Sequence, residues 1–321
     1  MFEVFVGTHA DFMSKRMFAY VLSGIMVLAS VVSLVAHDGP RESIDFTGGT
    51  MLDVRFTGPV SVGDVRSAAR EAGIQGAEIQ MVDQGTDAIL HINPEQAPEN
   101  PFVAFQNQFQ STHQGTSVIL RRTETVGPKV GSELEKKATS AILWSLVLIL
   151  IYIAWRFTRV SFGVAAVIAL FHDILIALGA FSLLNLEVSL TVVAAFLTIG
   201  GYSINDTIVL FDRIRENRGL IKRKSFPELV NISINQTLSR TLLTSLTTLV
   251  AVAALYFLGG IVIRDFAFAM IIGVVVGTYS SIFVASSLAV DIAAWWERRR
   301  AARAAKHGHG GKTKRSTASA R

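Results

Sequence analysis

The chain contains no cysteine, which excludes a disulfide framework, thiol chemistry and any cysteine metal centre. Charge is scarce as well. Asp, Glu, Lys and Arg make up 17% of the 321 residues, against about 25% in a soluble globule. There is no P-loop, no Gly-x-Ser-x-Gly, and no pair of histidines or carboxylates at metal-ligand spacing, so no enzyme constellation is present. The net charge of +5 could suggest nucleic acid. Its placement argues otherwise, because the basic residues sit in short segments beside apolar runs and in the tail.

What the chain has in quantity is apolar sequence, half of all residues. Residues 17–36 form a first run long enough to cross about 30 Å of hydrocarbon. A cleaved signal peptide is the rival reading. The run is longer than the usual apolar core of such a peptide, and no Ala-x-Ala follows it. Further runs cover 138–155, 161–184, 188–210, 237–258 and 266–290, which predicts six transmembrane helices. Lys15-Arg16, the Arg156/Arg159 turn, a loop over 212–236 rich in Arg and Lys, and the tail then fall on one side. By the positive-inside rule that side is cytoplasmic. A turn at 185–187 and a short link at 259–265 face the other side.

Residues 37–137 are the polar insertion between spans one and two. Residues 51–56 alternate with a period of two, as a strand does. Residues 61–73 read as a helix, with Ser61 as N-cap, Asp64 at the positive end and Gly73 as the stop. Strands at 77–83 and 88–92 flank a turn at 84–87. A loop over 94–101 follows, then a helix at 102–114 with Phe102, Phe105 and Phe109 on one face, then a strand at 116–126. The order βαββαβ is the ferredoxin-like split unit. The expected organisation is a cytoplasmic N-terminus (1–16), span one (17–36), an extracytoplasmic βαββαβ domain (37–137), spans two to six (138–290) and a basic, disordered cytoplasmic tail (291–321). His307 and His309 in that tail read as a solvated, weakly metal-sticky tract.

The fourth span carries an ionisable residue, Asp206, among Gly200, Gly201, Ser203, Asn205 and Thr207. A charge at the bilayer centre costs about 2.5–3.5 kcal/mol on insertion scales, so such a residue is expected to face a partner or a water path and to be functional. Arg240 follows 34 residues later, at the start of span five, with Thr244 one turn on and Thr247 and Thr248 beyond it. The carboxylate could carry a proton while the guanidinium, always charged, biases it. A fixed ion pair gluing two helices, or an arginine snorkelling to the interface, are the structural alternatives. His172-Asp173 in span three is a second polar pair, open to reading as a relay or as an interhelical hydrogen bond. Gly273, Gly277, Ser281 and Ala285 recur every four residues, the small-residue pattern of close helix packing.

Ile44-Asp-Phe-Thr-Gly-Gly-Thr50, Gly201-Tyr-Ser-Ile-Asn-Asp-Thr-Ile-Val-Leu-Phe-Asp-Arg-Ile-Arg-Glu-Asn217 and Arg240-Thr-Leu-Leu-Thr-Ser-Leu-Thr-Thr-Leu249 together resemble the SecF family, over about residues 12–290. The resemblance implies an α-helical polytopic membrane protein, half of an RND-type transporter that SecD completes with six more spans. It implies a proton path through Asp206, Arg240 and Thr244. Leu243 departs from the pattern, since relatives often carry a polar residue there. The energy source implied is the proton gradient, with no cofactor. The implied partners are SecD, the SecYEG channel, YajC, unfolded preprotein and membrane lipid, with no nucleic acid, in a bacterial inner membrane. Phe46, Gly48 and Gly49 are expected to set the hinge and packing between the first span and the external domain, because paired glycines tolerate close approach and unusual backbone angles. Two other classes compete: a proton-coupled exporter of small molecules or lipids, and a non-transporting scaffold of the translocon.

Overall fold

A computed structural model describes residues 9–82, 85–93, 98–157, 159–221 and 223–315. In chain order its elements are α1 (Arg16–Ala36), β1 (Arg41–Glu42), α2 (Ile44–Thr47), β2 (Gly49–Phe56), α3 (Val62–Glu71), β3 (Glu78–Val82), β4 (Asp87–Ile92), α4 (Pro101–Thr112) and β5 (Val118–Val126). These are followed by α5 (Pro128–Arg156), α6 (Val160–Leu183), β6 (Glu187–Val188), α7 (Leu190–Leu220), α8 (Phe226–Leu258), α9 (Ile261–Tyr279), a π-helical turn (Ser280–Ala285) and α10 (Ser286–Arg315). Parts of the expected turn at 84–87, the loop from 94 and the Arg156/Arg159 turn lie outside the described residues, as do the His307 and His309 side chains. The chain forms two compact units, a sheet domain and a helix bundle.

In the sheet domain the strands run β3-β4-β2-β5, each pair antiparallel. With the elements β2-α3-β3-β4-α4-β5 this is the ferredoxin-like unit that alternation predicts. Leu52, Val54 and Phe56 of β2 point to one face and meet Val65, Ala68 and Ala69 of α3 and Phe105 and Phe109 of α4. The Phe56 and Phe109 rings lie 4.9 Å apart. Each such apolar side chain contributes about 1.5–3 kcal/mol by leaving water. Ser61 and Asp64 close a reciprocal capping box that starts α3. Pro101 opens α4 behind the Asn100 cap.

On the opposite sheet face Asp87, 1% exposed, accepts hydrogen bonds from Arg55 at 2.7 and 2.8 Å and from Arg121 at 2.6 Å. The Arg55 bond is the main force holding its carboxyl below the usual range. Asp53, next to Arg55 on the same strand face, is buried too, and its desolvation pushes its carboxyl up.

The two-glycine segment is held by close backbone approaches within the sheet domain. Gly48 and Gly49 adopt φ of +72° and +134°, a region that favours glycine. A Cβ on Gly48 would stand 2.9 Å from the Pro128 backbone at the start of α5, and one on Gly49 would stand 2.8 Å from the Ile92 carbonyl on β4. Gly131 on α5 in turn approaches the Phe46 carbonyl, where a Cβ would be at 2.7 Å. The motif therefore packs on the first turn of α5 and on the sheet. Asp45 accepts the Leu190 N–H at 2.9 Å, capping α7 with a carboxylate at the positive helix end. The expected turn at 185–187 is present, with Asn185 at φ +52°, and leads into β6, which pairs in parallel with β1.

Among the described residues, six helices are long and apolar enough to cross a membrane. Small residues bring them together. Ala165, Ala166, Ala169 and Ala177 of α6 are fully packed. A Cβ on Gly179 would fall 2.1 Å from the Ser30 hydroxyl of α1, one on Gly273 would fall 2.2 Å from Ile199 of α7, and one on Gly277 would meet Ser203 at 3.1 Å. Several boundaries differ from the hydropathy reading: α5 already starts at Pro128, and α9 at Ile261 within the expected link at 259–265. The expected loop over 212–236 is mostly helix: α7 runs on to Leu220 and α8 starts at Phe226. Arg213–Glu216 ion pairing three residues apart and the Ser225–Glu228 capping box explain why charge there does not break the helices. The last helix also continues to Arg315, through the stretch expected to be disordered. Ala, Arg and Lys, which fill much of it, are good helix formers.

Candidate functional site

Asp206 lies midway along α7, where Leu190 to Leu220 form one continuous helix. Its side chain is 6% exposed, and among the described residues Oδ2 has no hydrogen-bond partner. A buried acceptor without a donor is rare and costly. Arg240 on α8 is the charged group whose field reaches it, but no ion pair closes between the two. Arg240 and Thr244 are both exposed. The Thr244 hydroxyl donates to its own helix, to the Arg240 carbonyl at 3.0 Å and the Thr241 carbonyl at 2.9 Å. Thr247 and Thr248 do the same one turn on. The three residues expected to act together are therefore a buried carboxylate on α7 and an exposed polar stripe on α8.

Helices α7 and α8 are nonetheless neighbours. Tyr202 donates to Ser245 at 3.4 Å, Ser245 and Thr278 of α9 share a hydrogen bond of 2.7 Å, and Asn217 donates to Ser233 at 2.8 Å.

His172 and Asp173 are brought into a site of their own. Asp173 is fully buried. His172 Nδ1 lies 2.8 Å from its Oδ1, while Ser280 at 2.6 Å and Ser203 both donate to Oδ2. The two carboxylate oxygens have acceptor sites enough for all three groups. Ser280 opens the π-helical turn, an irregularity frequent at functional sites. Ser203 lies on α7 three residues before Asp206, hence on nearly the same helix face. The far nitrogen of His172 is buried without a partner, and its ring lies 6.4 Å from that of Tyr279. Tyr279 donates to the Ala19 carbonyl of α1 at 2.8 Å.

Sequence reasoning did not single out Ser280, Tyr202, Ser245, Thr278 and Tyr279, and named Ser203 only as a neighbour of Asp206. Hydroxyls inside apolar runs were the available signal, but their partners lie on other helices. Gly273 and Gly277 do pack closely, and the surface they meet is α7, the helix of Asp206. Among the described residues no group of three or more histidines, cysteines or carboxylates could hold a metal ion.

Comparison with known proteins bears on the whole chain. The family model described as protein export membrane protein SecD/SecF, C-terminal, matches residues 105–295, and the SecD/SecF GG motif matches residues 34–60, around Phe46, Gly48 and Gly49. Protein translocase subunit SecF of Desulfurispirillum indicum is 44% identical over 297 residues, covering 91% of this chain and 93% of its own. SecF of Thermodesulfovibrio yellowstonii is 41% identical over 290 residues, covering 89% and 95%. The crystal structure of SecDF, a translocon-associated membrane protein from Thermus thermophilus, superposes with a TM-score of 0.79 at 41% identity, and covers 91% of this chain and 39% of that one. Six spans, a ferredoxin-like insertion, the two-glycine segment and near full-length identity lead to one conclusion: the chain belongs to the SecF family of protein translocase subunits.

Proposed function

We propose that this chain pairs with SecD and uses the proton-motive force to assist late stages of preprotein movement through the Sec channel. Asp206 carries the proton, Arg240 biases its charge state, and Thr244 is a polar neighbour. The observation that carries this reading is the buried Asp206 carboxylate with an oxygen that no donor satisfies. Such a group can take up a proton without first breaking a bond. The exposed polar stripe of Arg240, Thr244 and Thr247 on a helix of membrane-spanning length calls for a cover, which a second six-span subunit would supply. A Thermus thermophilus relative, 46% identical over 292 residues that make up 39% of its length, is named SecDF. This chain and a separate SecD would be the divided form. Both termini and the basic loops lie on the cytoplasmic side in this reading, and the sheet domain lies outside. The membrane potential, about 2.3 kcal/mol per charge per 100 mV, supplies the energy.

The test is preprotein export by the complex with and without an uncoupler. Asp206→Asn is expected to remove the gradient-dependent part of export while the variant still copurifies with SecD. Unchanged gradient dependence in that variant would leave only the scaffold reading. An exporter of small molecules would instead show itself as drug or lipid sensitivity on gene loss, with secretion intact.

A further inference from the structure

A second site lies at the basic end of the bundle, beyond Asp206 along α7. The last residue of α5, the residue before α6 and the charged end of α7 surround a cavity of about 280 Å³. Arg156, Arg159, Arg215 and Arg218 line it, and Asp212 is the carboxylate among them. Asp212 is already engaged, by Arg156 and, at 3.6 Å, by Arg215. Arg218 stacks over the Phe226 ring at 5.4 Å. Arg159 makes no ion pair within 4 Å among the described residues. Burial and the nearby Arg218 push its guanidinium below the ordinary value, and Glu297 opposes this from longer range.

The floor is aromatic. Phe157, Phe162 and Phe211 are buried, with the last two stacked at 4.8 Å. Next in sequence to Arg156 and Arg159, Trp155 is 79% exposed and Val160 is 65% exposed. Tryptophan flanking arginine at a span's end marks the membrane interface. A guanidinium fork matches phosphate oxygens two at a time. Arg159 and Arg218, the two forks of the cavity that do not engage Asp212, over an apolar floor therefore suit a ligand with an anionic head and a greasy body. The volume accommodates a headgroup and falls short of the about 300–1,000 Å³ of a drug-sized site. We propose that this pocket binds a phosphodiester anion, supplied by the headgroup of an anionic phospholipid. The site anchors the α5–α6–α7 end of the bundle to the lipid, whether or not Asp206 carries protons.

Native mass spectrometry of the full-length chain in detergent tests it, with phosphatidylglycerol and phosphatidylcholine added at equal concentration. Phosphatidylglycerol is expected to be retained in clear excess. With about fivefold per arginine at a membrane surface, Arg159→Gln should weaken retention about fivefold, and Arg159→Gln with Arg218→Gln about 25-fold. Arg70→Gln, in the sheet domain, should change nothing. Retention by the unaltered chain should also fall as salt is raised, a readout that needs no variant. Equal retention of the two lipids, indifference to Arg159→Gln or indifference to salt would overturn the proposal. Displacement of phosphatidylglycerol by millimolar inorganic phosphate would assign the pocket to the free anion and overturn the lipid source.

Discussion

In the sheet domain Asp87 is buried and gripped by Arg55 and Arg121. In the bundle Asp173 is buried and satisfied by His172, Ser203 and Ser280. Asp206 is almost as buried, and one of its oxygens has no partner. The three carboxylates share chemistry and burial and differ in their neighbours. Asp53 of the sheet domain also keeps an oxygen without a partner among the described residues, so what sets Asp206 apart is that feature on a helix of membrane-spanning length. A carboxylate whose lone pairs are filled loses bonds when it takes a proton. One left unfilled can exchange a proton at little structural cost, and the fold must bear its desolvation by other means.

Substitutions should rank accordingly. Asp173→Ala strands His172, Ser203 and Ser280 in the interior and should cost about 3–5 kcal/mol, read as a large fall in the unfolding midpoint of the detergent-solubilised chain. A small effect would mean that the buried network is not holding α6, α7 and the π-helical turn together. Gly179→Ala puts a methyl against Ser30, whose own Cα is 2.7 Å from the added carbon. It should cost about 1–3 kcal/mol by overpacking, and Ser30→Gly should recover part of that.

Asp87→Asn should cost about 2 kcal/mol, the scale of hydrogen bonds to a charged group. The loss should appear as faster amide exchange in β2 and β4 of the intact chain. The acid response of this domain carries two opposite signs. Asp87, held below its ordinary value of about 4, contributes stability that is present above that value and lost as pH falls through the folded one. Asp53 is pushed up, so the folded state favours its protonated form. Its contribution is present below about 4 and lost as pH rises through the folded value. Asp53→Asn should therefore flatten the decline on the high-pH side of the window and leave the Asp87 limb in place.

Much of this architecture is legible in the sequence because it is written in local periodicity. Six apolar runs mark the spans, and alternation at Leu52, Val54 and Phe56 marks a half-buried strand. The Ser61–Asp64 spacing marks a helix start. What was not legible depends on contacts between distant segments. Nothing local tells that Gly48 abuts Pro128, that Asp45 caps α7, or that Ser280 and Ser203 serve Asp173. The charged stretch after Asp212 read as a loop because its charge outweighed its helix-forming composition. Asp206 was conspicuous from composition alone. Its lack of a direct bond to Arg240 was not, since a spacing of 34 residues says that two helices can meet and does not say that two side chains do.

The central claim is that Asp206, and neither of the satisfied carboxylates, exchanges the proton. Infrared difference spectroscopy of the intact complex follows the carboxylic acid C=O stretch as pH is stepped. The account predicts a band that titrates in the unaltered protein and in a Gly179→Ala variant, and that is absent in Asp206→Asn, whose thermal stability should stay within about 0.5 kcal/mol of the parent or exceed it. A band that persists in Asp206→Asn and vanishes in Asp173→Asn would contradict it.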